Sequence, residues 1–216
     1  MIKNHYSLSL INKLLDWLDD FIMFSKIDLW NAYHCICICE EDEWKTAFCT
    51  QYDYFEFLVV LFDLTNVSVI FQVYINHALC ELVDDFCIVY LDDILIFSRI
   101  KAEHFHHLEH VIKCLWHAEL YVNSKKCEFF KTEVEYLDFV IDKESIWMNS
   151  AHVKTVSEWS YSKSYQDIQV FLEFCNFYWC FIYNFSDIVK SLQDLLWELK
   201  NNKKLNLIID YKWQIF

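Results

Sequence analysis

Residues 90–98 read YLDDILIFS and follow directly on FCIV, so two adjacent carboxylates, Asp92 and Asp93, stand inside an otherwise apolar, strand-like run. An ionised aspartate is costly to bury without a compensating charge, and two neighbours also repel each other. A bound cation would neutralise the pair. Alternatively the pair is the polar tip of a hairpin, because aspartate is common in turns. The dipeptide by itself leans to the tip and leaves the cation open.

Around this run the chain has ample apolar material. At 216 residues, 56% of them hydrophobic, it can bury a sizeable core as one domain or somewhat more. The longest apolar stretches, such as FLVVLF at 57–62, fall well short of the ~18 residues that a membrane-spanning helix requires. The start, MIKNHYSLS, has none of the pattern of a secretory signal, so an intracellular location with no membrane partner is expected. None of the ten cysteines forms a C-x-x-C pair, and Cys35, Cys37 and Cys39 simply alternate, so reduced thiols are expected. In HFHHLEH (104–110), His106 and His110 stand four apart, as two metal ligands on a helix would. With no Cys or carboxylate constellation beside them, a solvated helix face is the preferred reading.

Two absences dominate the composition. A chain of this length ordinarily carries about fifteen glycines and about eleven prolines; this one has neither. It also has a single arginine, Arg99, nine tryptophans and a formal net charge of −14, the wrong sign for a protein that holds a polyanion.

Without glycine or proline as punctuation, elements are read from periodicity. The spacing predicts a helix over 10–20, strands over 24–29, 34–39 and 55–62, and a helix over 65–85 opened by Thr65 or Asn66. A hairpin over FCIVYLDDILIFS, a charged helix over about 101–118, a strand over 134–141 and mostly helix from 152 onward complete a mixed α+β order.

Asp28, at the end of FSKID, is a third carboxylate interrupting an apolar segment. Three carboxylates on two neighbouring strands would suit the two Mg²⁺ ions of nucleotide polymerisation, which demand oxygen ligands. Tyr33, five residues further on, could pack against a sugar or simply fill the core.

At this point the sequence resembles the reverse transcriptase of gypsy-type LTR retrotransposons, particularly fungal copies. FSKIDLWNAYHCI looks like that family's first catalytic segment, and EDEWKTAF (41–48) and LFDLTNVSVIFQ (61–72) look like its fingers and nucleotide-pocket segments. YLDDILIFS is similar to its catalytic hairpin, KKCEF (125–129) to the segment after the palm helix, EYLDFVI (135–141) to the primer grip and FLEFCNFYWCFI (171–182) to the thumb and connection helices. The resemblance implies an α+β reverse-transcriptase palm with partial fingers and a helical thumb/connection region. It places fingers and palm in 1–142, thumb and connection in 143–200, and the start of a truncated ribonuclease H-like region in 201–216. Asp28, Asp92 and Asp93 would bind two Mg²⁺, with Mn²⁺ a substitute. Tyr33 would sense the sugar, Phe62 and Gln72 would lie near nucleotide and template, and Leu137 and Phe139 would belong to the primer grip. The implied partners are an RNA or DNA template, a primer and a deoxynucleoside triphosphate. By the same resemblance the chain reads as a fragment of a polyprotein.

The departures from the family share one chemistry. The family writes Pro-Phe-Gly-Leu-Thr-Asn-Ala-Pro where residues 61–68 read LFDLTNVS, changing four of the eight positions. It writes Tyr-Leu-Gly where Asp138 follows Leu137, and Phe-Leu-Gly where Glu173 now closes the triplet. Fungal relatives usually carry arginine where this chain has Trp30, Cys35, Cys37, Cys49, Gln51, Trp179 and Cys180. Each change is one C-to-T or G-to-A step, so a relic altered by directed cytosine mutation, such as repeat-induced point mutation, accounts for the missing glycine and proline, the excess of cysteine and tryptophan and the acidic charge together. Weak nucleic-acid binding and an inactive copy are expected. The alternative is a non-enzymatic remnant with at most metal or partner binding.

Overall fold

The computed structural model describes residues 18, 21–62, 64–159 and 165–201, and the chain divides into two compact units, Met1–Ile146 and Trp147–Phe216. The helix expected over 10–20, Asp63 and almost all of 201–216 lie outside the described residues.

The first unit is built on a four-stranded sheet. Its strands are β1 (Met23–Asp28), β4 (Cys87–Tyr90), β5 (Asp93–Ser98) and β6 (Glu128–Lys131), in the order β4-β5-β1-β6, with β1 antiparallel to both neighbours. Two short strands between β1 and β4, β2 (Phe48–Cys49) and β3 (Tyr54–Phe55), pair only with each other. Because side chains alternate along a strand, β1 and β5 sort their residues onto two faces. Ile27, Ile94 and Ile96 enter a core shared with α1 (Val67–Ala78) and α2 (Lys101–His117), which contribute Phe71, Ile75, Leu108, Val111 and Leu115. Lys26, Asp28 and Asp93 are left on the opposite face.

Four elements differ from the sequence-based expectation. HCICIC is not a strand over its length: a 3-10 turn, Ala32–Cys35, follows left-handed Asn31, and only an isolated bridge, Cys37 to Val59, remains. The alternation itself holds, since Ile36 and Ile38 pack on the core while Cys37 and Cys39 are exposed. FEFLVVLF likewise pairs regularly only at Phe55; further along, Val59 forms the isolated bridge to Cys37 and Val60 is buried in the core. The single strand expected over 134–141 is a hairpin, β7 (Glu133–Tyr136) and β8 (Phe139–Asp142), turning at Leu137 and Asp138. Both turn residues have positive φ, 50° and 70°, the pattern of a type I′ turn. The helix expected over 65–85 stops at Ala78, and turns occupy the stretch up to β4.

β9 (Ile146–Met148) lies at the junction of the two units. The second unit then carries α3 (Ser150–Ser157), α4 (Tyr165–Phe177) and α5 (Phe185–Asn201), packed around Ile168, Phe171, Cys175, Ile182 and Leu192. No helix among the described residues is long and apolar enough to cross a membrane.

Candidate active site

β4 and β5 are joined through Leu91 and Asp92, with Tyr90 paired to Asp93 across the ladder. Leu91 has φ 54° while Asp92 does not take positive φ, as in a type II′ turn. Such a turn favours glycine at its first central position. Here leucine is held in place from outside: its N–H donates to Gln72 Oε1 at 2.8 Å, while Gln72 Nε2 donates to the Val89 carbonyl at 3.2 Å and to Asn76 Oδ1 at 2.8 Å.

The turn is docked against the end of β1. Asp28 stands directly opposite Asp93 in the ladder, and the Leu29 N–H donates to the Asp92 carbonyl at 3.1 Å. Tyr136 of β7 donates its hydroxyl to the Asp93 carbonyl at 3.3 Å. Beyond Asp28, the Asn123 N–H donates to the Asp28 carbonyl at 2.9 Å, which lays the segment before β6 beside the same strand end.

Asp28 and Asp92 both line an open cavity of about 380 Å³, together with Trp30, Tyr33, Phe62, Asn123 and Lys126. Tyr33 is nearly buried and meets Phe62 edge-on at 5.1 Å and Phe71 at 5.0 Å. Burial pushes its phenol up, and the nearby Asp92 carboxylate adds to the effect. The third carboxylate, Asp93, is not part of that lining and has the Lys26 ammonium 3.4 Å from its Oδ1. Burial raises Asp93 above the usual carboxylate range; Lys26 opposes that shift, whereas Asp92 and Asp28 reinforce it. Lys126 Nζ lies 3.2 Å from Asp28 Oδ2.

Among the described residues, no three Cys, His, Asp or Glu side chains converge on one point. The structure thus brings Asp28 and Asp92 to one cavity and Asp28 and Asp93 to one ladder position, without gathering all three carboxylates into a single cluster. Asp28 holds the Lys126 ammonium at 3.2 Å, and Asp28 and Asp92 offer only carboxylate oxygens to the cavity, the donor type that hard divalent cations take.

The remaining expected residues fall in different settings. Phe62 is exposed at the cavity. Gln72 is 4% exposed and spends its polar atoms on the hairpin and on Asn76. Phe139 is buried in the core and Leu137 is half-buried at the β7–β8 turn. Lys126 escaped the sequence reading; KKCEF carried the signal, but the contact spans 98 residues and only the fold reveals it.

The chain has relatives both in sequence and in fold. Residues 4–141 match the family model described as reverse transcriptase (RNA-dependent DNA polymerase). The chain is 33% identical over 195 residues to the retrovirus-related Pol polyprotein from transposon gypsy of Drosophila melanogaster, covering 90% of this chain and 19% of that polyprotein. It is also 33% identical over 193 residues to the transposon Tf2-3 polyprotein of Schizosaccharomyces pombe, covering 89% of this chain and 14% of that one. The chain thus spans less than a fifth of these curated relatives. Its fold is similar to the foamy viral protease-reverse transcriptase in complex with double-stranded DNA, with a TM-score of 0.86 at 24% identity over 95% of this chain and 35% of that one. The same viral protein in complex with an RNA/DNA hybrid gives a TM-score of 0.78 at 24% identity, over 90% and 26% of the two chains. A sheet with this aspartate hairpin docked on the end of its central strand, matched over most of its length by that family model, belongs to the reverse transcriptase family, as an LTR-retrotransposon-type RNA-dependent DNA polymerase domain.

Proposed function

We propose that the site is built for two-metal deoxynucleotidyl transfer to a primer 3′ hydroxyl on an RNA or DNA template, and that this copy performs the reaction poorly or not at all. The observation that carries the first half is the pairing of Asp28 with Asp93 across the ladder, with Asp28 and Asp92 facing one cavity. Asp28 and Asp92, with Asp93 beside them, would hold Mg²⁺. When bound, the ions would activate the primer hydroxyl and neutralise charge on the triphosphate and leaving group.

The chain's own residues supply position. Gln72 fixes the turn that presents Asp92. Tyr33, braced by Phe71, offers an aromatic edge to a sugar, and Phe62 covers it. Leu137 and Phe139 belong to a hairpin whose Tyr136 hydroxyl reaches Asp93, which supports a primer-holding role for that hairpin.

The second half rests on charge. A net −14 opposes a polyanionic template, and Trp30, Cys35, Cys37 and Cys49 provide no cation where related proteins usually carry arginine. Transfer of this kind depends on positioning and charge stabilisation, so surviving carboxylates alone contribute little rate.

The test is primer extension on an RNA template with Mg²⁺ at physiological salt. The parent chain should give no extension, and a variant carrying Leu61→Pro, Asp63→Gly, Asp138→Gly, Cys35→Arg, Cys37→Arg and Cys49→Arg should gain an activity that Asp92→Asn abolishes. Robust synthesis by the unrepaired chain would overturn the inactivity. Activity of the repaired chain that survives Asp92→Asn would overturn the site.

A further inference from the structure

Two lysines accompany the carboxylates, and they are held in different ways. Lys26 is two residues before Asp28 on the same face of β1 and lies opposite Leu95, so Asp93 is its diagonal neighbour on the next strand. Its side chain is 21% exposed, and the pleat leaves its ammonium close to Asp93. Lys126 comes from a turn tied to the end of β1: its N–H donates to the Asn123 carbonyl at 3.0 Å, and the Asp28 N–H lies 3.5 Å from Cys127 Sγ. The backbone of Lys126 is thereby fixed beside Asp28, while its side chain is 68% exposed and free to swing into solvent.

We propose that Lys26 and Lys126 are the resident counter-ions of Asp93 and Asp28, and that a divalent cation binds Asp28 and Asp92 only by displacing the Lys126 ammonium, with Lys26 keeping Asp93 engaged. This rests on the reading of Asp28 and Asp92 as metal ligands. The two ammonium groups offset part of the negative charge of Asp28, Asp92 and Asp93, to which Glu128 adds from its place opposite Lys26 on β6, so the site's attraction for a divalent ion is reduced before any ligand arrives. Lys126 also lines the cavity that contains Asp28 and Asp92, so its charge repels an incoming ion directly. Ion binding and lysine release are therefore coupled, and each must weaken the other.

The experiment is a Mn²⁺ titration of the full chain at low salt, without nucleotide or template, following free Mn²⁺ by electron paramagnetic resonance. Lys126→Met should tighten binding roughly threefold to tenfold, the range expected for removing one partly screened positive charge. Lys26→Met should tighten it as well, whereas Lys126→Arg, which keeps the charge, should leave it near the parent value. In the unmutated protein, Mn²⁺ should speed acylation of Lys126 relative to its neighbour Lys125, a readout that needs no variant to fold. If Asp28→Asn and Asp92→Asn abolish Mn²⁺ binding but neither lysine substitution changes the affinity and Lys126 acylation does not respond, the counter-ion proposal falls and the metal site stands. If Mn²⁺ binding survives Asp28→Asn and Asp92→Asn in every background, the metal site falls and takes the proposal with it.

Discussion

The Leu91 N–H and the Gln72 side chain are joined by a 2.8 Å hydrogen bond, so the bend that presents Asp92 is held from helix α1 as well as by its own two strands. Gln72 also donates to the Val89 carbonyl, so one buried amide satisfies backbone groups on the strand and on its turn.

Replacing that amide with an apolar side chain of similar length leaves those groups unpaired. Gln72→Met should destabilise the chain by about 1 to 3 kcal/mol, the usual cost of an unsatisfied buried polar group. Urea unfolding should show a lower midpoint with an unchanged slope.

Helix α2 ends in a Schellman arrangement without its usual glycine. The Leu120 N–H donates to the Leu115 carbonyl at 2.9 Å and the Glu119 N–H to the Trp116 carbonyl at 3.2 Å, while Glu119 takes φ 55°. Glu119→Gly should therefore stabilise the protein by about 1 kcal/mol, because glycine adopts this conformation without a side-chain clash. The pair Leu137→Asn and Asp138→Gly should gain about 1 to 2 kcal/mol at the β7–β8 turn. Lys113→Gly, in the interior of α2, should lose about 1 kcal/mol. Denaturation midpoints of the three variants should thus move in opposite directions according to backbone conformation.

Acid should loosen the first unit. His104 is fully buried, with Nε2 at 2.7 Å from Ser25 Oγ and Nδ1 at 2.8 Å from Ser98 Oγ, and His107 Nδ1 reaches the same Ser98 hydroxyl at 2.7 Å. Burial, reinforced by neighbouring His107, lowers His104 from the ordinary value of 6.5 to about 4. The unfolded chain therefore binds the proton first. The stability this neutral histidine contributes is fully present above about pH 6.5 and is lost as pH falls toward 4, on the order of 3 kcal/mol in all. His107, also lowered by burial, acts in the same sense, whereas the raised Asp93 opposes both. His104→Gln should flatten the stability profile between pH 7 and pH 4, as measured by urea midpoints. An unchanged slope would contradict the assignment.

Thiol reactivity should divide by burial. Cys37, Cys39, Cys49 and Cys80 are exposed, whereas Cys87 and Cys175 are buried. Burial pushes the Cys175 thiol up to about 11 and raises Cys87 further still. Iodoacetamide applied to the native protein should label the first four within minutes and spare the last two until denaturant is added, as read by peptide mass spectrometry.

What the sequence reveals follows from which signals survive without glycine. The short apolar runs in FSKID and CIVYLDDILIFS mark β1, β4 and β5: Ile27, Val89, Ile94 and Ile96 enter the helix-covered core, and Phe24, Ile88, Leu95 and Phe97 are buried as well. The alternation in HCICIC is genuine but meets too little partner strand to extend a ladder. The turn at Leu137 and Asp138 is missed for a different reason: no glycine marks it and one aspartate between apolar residues is a weak turn signal, so VEYLDFVI reads as one strand. Asp28 and Asp92 could be picked out because each interrupts or ends a readable element, and Tyr33 because it follows Asp28 by five residues in a segment that resembles the family's. Lys126 could not, and Gln72 was marked by the resemblance for a place near nucleotide and template and not for its bond to the turn, since the contacts of these two with Asp28 and Leu91 join distant segments and exist only after folding.

The position of β1 at the centre of the sheet has a consequence for synthesis. This early strand pairs with β5 and with β6, and Ser25 accepts a hydrogen bond from the Phe130 N–H, 105 residues later. A ribosome therefore releases an apolar strand that has no partner until the chain beyond residue 95 emerges, and whose second edge waits for residue 131. Pairing between distant segments is slow, and unpaired strands invite association with other chains. The yield of folded protein should therefore depend more on translation rate and chaperone supply than on the strength of any one contact in the finished palm.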